Sequence, residues 1–185
     1  MKIPECVKIE SAATQSNAAL VNDGWREIGT LIDFSGDVDL LGDPHMVDKI
    51  IHGPERLAYA SDLATSIQWS GRLFRDPLIP PGAGMKAILM DLREAENNGT
   101  LFCGSEGFII TRITGGAVGI QLIGVRPESR GCGYAAAMIR NAIRARLVMR
   151  KATVLAGTYS DNAASCALYG TLGMKPFRER IVYHK

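Results

Sequence analysis

The chain has 185 residues, 46% hydrophobic and 22% charged, with a formal net charge of +2. That length suffices for one well-cored domain with a small appendage, and the near-neutral balance gives no electrostatic case for nucleic acid or an anionic membrane. Four scattered cysteines with no Cys-x-x-Cys pair, and three histidines (His45, His52, His184) without ligand spacing, argue against a metal centre or a disulfide framework and fit a reducing compartment.

In chain order, Val7 to Ala12 reads as a strand, Gln15 to Val21 as a short helix ended by Asn22-Asp23-Gly24, and Trp25 to Phe34 as a second strand closed by Ser35-Gly36-Asp37. Residues 36 to 47 carry two glycines and Pro44 and read as a linker, followed by a strand over His45 to Ile51. The expected division is a small strand–helix–strand segment at 1–38 and a main domain at 39–185. Pro54 to Trp69 has a helical period, with Leu57, Ala60, Leu63, Ala64 and Ile67 on one face. Arg72 to Gly84 is dense in proline and glycine and reads as a long loop, of a kind that often carries function. Met85 to Glu96 is helical again. Strands follow at Thr100 to Cys103, Gly107 to Thr114 and Ala117 to Val125, joined by hairpin turns at Gly104–Gly107 and Thr114–Gly116.

The apolar run ending at Val125 stops at Pro127. After a polar loop, Gly131 and Gly133 open a helix expected over Ala135 to Met149. A strand, a glycine turn and a helix N-terminus in succession present free backbone N–H groups to a phosphate. The glycines permit close approach and dihedrals closed to other residues. Ala152 to Thr158 then reads as a strand, Asn162 to Leu172 as a helix and Lys175 to His184 as a last strand, giving an α/β layout around one mixed sheet. The final strand could pair between two subunits, which makes a homodimer conceivable. No apolar run is long enough to cross a bilayer, and Met1-Lys2-Ile3-Pro4-Glu5 lacks the form of a signal peptide, so a soluble cytoplasmic protein is expected, without membrane or nucleic-acid partners.

Arg130-x-x-Gly133-x-Ala135 matches the acyl-CoA-binding signature of the GNAT superfamily of N-acetyltransferases. Asn162 to Met174 resembles the second motif of that family, in which an Asn begins a helix and a Tyr follows a Leu (here Leu168-Tyr169). The two motifs stand in the family's order and cover residues 117 to 185. The resemblance implies an α/β (α+β) fold with a mixed, mostly antiparallel sheet and helices on both faces. It implies acetyl-CoA as co-substrate, a small-molecule primary amine as acceptor, direct attack in a ternary complex, and no metal. It further implies that Arg130, Gly131, Cys132, Gly133, Tyr134 and Ala135 hold the diphosphate and that Asn162 assists. The strand Ala117 to Val125 should splay from its neighbour near Ile123-Gly124-Val125, where backbone groups would pair with the pantetheine amides. Tyr169 would be the general acid for the departing thiolate. A phenol of pKa about 10 can protonate a thiolate of pKa about 8.5. The plainer alternative is a Tyr packed in a helix with its hydroxyl at the surface.

Gly124 suits either a bulge or packing space. Amide bonds to a charged phosphate contribute roughly 1.5–3 kcal/mol each, and association costs about 4–15 kcal/mol, so the pantetheine arm must help the loop. Cys132 is expected to act through its backbone N–H rather than as a nucleophile, and Cys166 to pack. Arg140, Arg144, Arg146, Arg150 and Lys151 crowd a helix C-terminus and read as a solvated face. Where some relatives place a Glu on the strand before the loop, this chain has Gln121, so no side-chain base is evident.

Trp69 to Pro77, with Arg72, Phe74 and Arg75, resembles the substrate loop of dTDP-4-amino-4,6-dideoxygalactose N-acetyltransferases. Residues 7 to 34 resemble the end of their N-terminal domain, and Arg178 to His184 their terminal strand. That resemblance implies a nucleotide-linked amino sugar as acceptor. Arg72 and Arg75 would pair with its pyrophosphate and Phe74 would stack on it; an exposed basic loop with one anchoring Phe is the alternative. An amino acid, a peptide N-terminus, a polyamine or an aminoglycoside is the next acceptor class. A non-catalytic acyl-CoA-sensing domain is the other functional class.

Overall fold

The computed structural model describes residues 6–10, 14–37, 50–69, 74, 79–146 and 152–185. In chain order the elements are β1 (Cys6–Glu10), α1 (Thr14–Asn22), β2 (Arg26–Asp37), α2 (Glu55–Ser66), α3 (Ala83–Asn97), β3 (Leu101–Cys103), β4 (Gly107–Thr114) and β5 (Ala117–Val125). A 3-10 turn (Pro127–Ser129), α4 (Tyr134–Arg146), β6 (Thr153–Tyr159), α5 (Ala163–Thr171) and β7 (Lys175–His184) follow. The seven strands form one sheet in the order β1-β7-β2-β6-β5-β4-β3. Every neighbouring pair is antiparallel except β5 and β6, which run parallel. A parallel pair needs a crossover, and α4 supplies it.

The sheet is covered on both faces. Alternation along β4 sends Ile109 toward α4 and α5, where it meets Met138, Ile139, Val154 and Leu172, and sends Phe108 and Ile110 toward α2 and α3, where they meet Leu63, Ile88 and Leu92. Two covered faces explain why Gly107 to Thr111 reads as a continuous buried run. The helices on the second face are tied by a two-pronged ion pair, Arg56 Nε to Glu96 Oε2 at 2.7 Å and Nη2 to Oε1 at 2.9 Å. The Trp69 indole N–H donates at 2.9 Å to Ala64 O, a carbonyl that also accepts from the Ile67 N–H at 3.4 Å where α2 ends.

Most elements fall within two residues of their sequence-derived limits. The departures have local causes. Gly36 and Asp37 belong to β2, paired with Val154 and Thr153, rather than to a linker. The helix α3 begins two residues early because Gly82 takes a left-handed φ of 82° at its N-cap. Of the strand expected at 45–51, Ile50 forms an isolated bridge to Gly104; residues 45–49, the linker at 38–47 and the tail of the α4 helix at 147–149 lie outside the described residues. The first 37 residues contribute β1 at one edge and β2 in the interior of the same sheet, between β7 and β6. Over Arg180 to His184, β7 has β1 on one side and β2 on the other, so this stretch is not an edge open to a second subunit.

Candidate active site

The cleft originates in the sheet. Strands β5 and β6 pair only from Ala117 with Thr153 to Ile120 with Ala156. Beyond that rung β5 stays bonded to β4 as far as Val125, and β6 stays bonded to β2 as far as Tyr159. The two strands therefore part, and the inner backbone edges of Gln121–Val125 and Gly157–Tyr159 have no ladder partner across the gap. A bulge marks the parting: Ile110 pairs with Leu122 but Thr111 with Ile120, leaving Gln121 extra.

The splay thus includes Ile123, Gly124 and Val125, as the family resemblance implied, but it opens earlier, and the bulge is at Gln121 rather than Gly124. Gly124 is packing space. A Cβ there would lie 2.8 Å from Ile67 Cδ1 and 3.0 Å from both Phe108 Cε1 and Trp69 Cη2. Gln121 itself is exposed.

The glycine loop continues directly from this strand. Gly131 and Gly133 have φ of 79° and 84°, and nothing lies within 4 Å of where a Cβ would stand at either. Here glycine serves backbone conformation and leaves the space in front of the loop open. The first helical bond of α4 is Ala137 N–H to Gly133 O at 3.0 Å, so the N–H groups from Gly133 to Ala136 have no acceptor within the helix. Arg130 turns back on the strand, its Nε donating to Val125 O at 3.2 Å. The Cys132 thiol donates to Ser129 O at 2.8 Å.

Glu106, in the β3–β4 turn, braces the loop. Its carboxylate accepts from Ser129 Oγ at 2.9 Å and pairs with Arg126 Nε at 3.7 Å, and its N–H donates to the Tyr134 hydroxyl at 3.1 Å. The Tyr134 side chain thus braces the loop, and its backbone N–H is one of those without a helical acceptor. Glu106 had no signal in the sequence beyond its place in a turn.

Tyr169 lies on α5 and is buried, with 4% of its surface exposed. Its ring sits 5.4 Å from that of Phe34 on β2, at 51°. It belongs to the same apolar cluster as Ala136, with Tyr134 and Ile123 packed against it, so α4, β5 and α5 converge on one another. The ring is therefore packed in the core. Burial, and secondarily the neighbouring Cys166, pushes the phenol pKa up to about 12. Cys166 is half-buried and packs against the same cluster, and burial raises its thiol pKa as well. Asn162 caps α5, its Oδ1 accepting from Ser165 N–H at 3.2 Å.

On the opposite face of β2 stands a group that sequence reading missed. Asp33 is buried and accepts from Arg178 Nε and Arg180 Nη2, each at 2.7 Å. It also lies 3.2 Å from where a Cβ of Gly157 would be. Gly157 is the first residue of β6 beyond the last β5 rung, and it is exposed. The only signal available was an Asp between Ile32 and Phe34 in an apolar strand; the partners are more than 140 positions away.

Of the acceptor-loop residues, Phe74 is 40% exposed, and Arg72 and Arg75 lie outside the described residues. A shallow groove lined by Ser35, Gly36, Asp37, Gly116, Ala152 and Thr153 lies at the other end of β6 and contains none of the expected site residues. Among the described residues no cluster of three metal-ligating side chains occurs, and no helix is long and apolar enough to cross a membrane.

A parted parallel strand pair feeding a glycine loop and helix N-terminus defines a class, and comparison with known proteins agrees. Residues 80–174, just over half of the chain, match the model of the acetyltransferase (GNAT) family, and the chain belongs to that family. Use of acetyl-CoA is implied by the membership. Among solved structures, a GCN5-related N-acetyltransferase from Sphaerobacter thermophilus superposes with a TM-score of 0.66 at 17% identity, over 97% of this chain and 58% of that one. A tandem GNAT protein from the clavulanic acid biosynthesis pathway gives 0.64 at 14%, over 97% and 62%. A GNAT-family acetyltransferase from Colwellia psychrerythraea gives 0.61 at 16%, over 97% and 63%. The chain spans less than two thirds of each of these three, and at such identities the likeness is one of fold. Comparison with curated proteins found no match.

Proposed function

We propose that the protein is an acetyl-CoA-dependent N-acetyltransferase that moves an acetyl group to a primary amine by direct attack. The observation that carries this reading is the continuous donor track from the unpaired edge of β5 to the open N-terminus of α4. Backbone N–H groups of Gly131 to Ala136 would hold the diphosphate of the co-substrate, where partial positive charge and free donors coincide. The unpaired edge at Ile123 to Val125 would take the pantetheine amides as an added strand would. Asn162 keeps α5 in register.

Tyr169 would give its proton to the leaving thiolate. With a phenol pKa near 12 and a free thiol near 8.5, that transfer is uphill by about 5 kcal/mol if the thiolate is solvated. It becomes matched only where the thiolate is desolvated beside the phenol, since burial raises both acids. The high value also keeps the phenol fully protonated at neutral pH. No carboxylate or imidazole stands on β5, so the amine must arrive neutral or lose its proton to water or backbone carbonyls.

The first acceptor class is a nucleotide-linked amino sugar, for which Phe74 offers an exposed ring and Arg72 and Arg75 matching charge. The test is release of coenzyme A thiol from acetyl-CoA across a panel of amines, beside calorimetry of acetyl-CoA binding. Binding with amine-dependent thiol release supports a transferase. Binding without release from any amine would favour an acyl-CoA sensor, and absence of binding removes both.

A further inference from the structure

Three side chains remain that the cofactor half of the cleft does not use. Asp33, Arg178 and Arg180 form one cluster on the face of the sheet opposite Tyr169. Phe34 meets the Tyr169 ring, and its chain neighbour Asp33 points the other way, so the two groups stand at the same level on either side of β2. Only β6 separates β2 from the gap, and at that level β6 carries the exposed Gly157, so that no side chain of β6 stands between the buried Asp33 carboxylate and the cleft side. An amine that attacks through the gap from the face away from α4 and α5 passes this cluster.

The charges define what it attracts. With Asp33 shared by two guanidiniums and Glu10 set against Arg180, Arg178 is the cation whose charge faces outward uncompensated. Arg178 gives its Nε to Asp33, and its side chain is 42% exposed, leaving it accessible to a ligand. Arg180 Nε is buried and has no hydrogen-bond partner among the described residues. Glu10 stands opposite Arg180 in the β1 register, on the side away from the gap. A second bulge sits at this point: Asp33 pairs with Arg178 but Phe34 with Pro176, which leaves Phe177 extra. That residue is 55% exposed, and the Arg178 guanidinium lies 5.6 Å from its ring centre. Bulges of this kind re-aim side chains at functional edges.

We propose that Arg178 and Arg180, held by Asp33, form the acceptor-selecting subsite of the cleft, and that the acceptor is a primary amine bearing an oxyanion several bonds from its nitrogen. This rests on the transferase reading above. The distance follows from the sheet: β7 is two strands from β6, about 10 Å at the usual strand spacing, and the guanidiniums reach back part of that way. An α-amino acid is too short to place its nitrogen in the gap and its carboxylate on Arg178. A longer amino carboxylate or an amino sugar phosphate spans it. Arg178 is a specificity residue, and Asp33 is a positioning residue that fixes both forks.

The experiment uses the full chain and four probe amines: 6-aminohexanoate, glucosamine 6-phosphate, neutral glucosamine and glycine. The proposal expects kcat/KM for the first two to exceed that for the last two. It expects R178A to lower that advantage about 10- to 100-fold, the worth of a charge-assisted contact, with KM for acetyl-CoA unchanged and R178K restoring only part of the loss. Whichever of the two anionic amines is preferred identifies carboxylate or phosphate as the source. Equal losses for anionic and neutral amines, or a loss of thermal stability alone, would reduce the cluster to a cross-strand tie and overturn the proposal. A second readout is independent of turnover: inorganic pyrophosphate titrated into protein saturated with coenzyme A, followed by the Arg Nε resonances. Shifts confined to Arg178 and Arg180 support the subsite, and no shift refutes it. Failure of coenzyme A to bind in the first step would instead count against the transferase reading.

Discussion

Replacing Tyr169 by Phe tests the buried phenol twice, once through stability and once through rate. The folded-state pKa is raised from about 10 to about 12 by burial. A raised folded pKa means that the unfolded chain loses its proton first. The contribution to stability is therefore complete below pH 10 and is lost as pH climbs through 12. At pH 11 the difference in proton binding between the two states amounts to about 1.4 kcal/mol, and its full extent is about 3 kcal/mol. Denaturant unfolding of the native protein and of Y169F at pH 8 and at pH 11 isolates this quantity, because every other tyrosine and lysine is common to both. The native protein should lose about 1.4 kcal/mol more than the variant between those two conditions. Parallel losses would show that the phenol is not held as the packing against Phe34 requires. In the kinetic arm, kcat of Y169F should fall roughly 10²- to 10⁴-fold, the usual range for a general acid, while the affinity for acetyl-CoA stays unchanged. Unaltered turnover would take Tyr169 out of the mechanism.

Two further substitutions test the frame around the cleft. Gly124→Ala places a methyl group against Ile67, Phe108 and Trp69 at 3.0 Å or less; it should cost about 1–3 kcal/mol by overpacking, seen as a lowered denaturant midpoint, and an unchanged midpoint would contradict the packing described. Asn162→Ala removes the α5 cap and should cost about 1 kcal/mol, with Asn162→Ser recovering most of it. If the serine variant is as unstable as the alanine one, capping is not what Asn162 does for the fold.

What could be read from the chain beforehand depended on whether the signal was local. The glycine loop was legible because a strand end, two glycines and a helix start lie within a dozen residues, and each has its own sequence mark. The hairpin at Gly115 and Gly116 was legible for the same reason; both take positive φ. The bulge was not, because Gln121 looks like any polar residue in a strand, and only its pairing with β4 reveals it. Burial of Tyr169 under Phe34 joins positions far apart in the chain, as does the contact of Asp33 with Arg178 and Arg180. Such pairings follow from sheet order, and no spacing rule announces that β2 slips between β6 and β7. The arginine motif at residues 72 to 75 drew attention because it was compact; the other arginine pair, split by Glu179 on an exposed strand, did not.

The position of β2 has a further consequence for biosynthesis. This strand leaves the ribosome more than a hundred residues before its hydrogen-bonding neighbours, both of which lie in residues 153 to 184. Until they emerge it has no native strand partner, and its apolar members Leu31, Ile32 and Phe34 wait unpaired. Closing the sheet demands loops of more than a hundred residues, which is slow and invites misassembly. Nascent chains should therefore depend on holding chaperones until β7 emerges, even though the hairpin from β3 to β5 can form as soon as it is made.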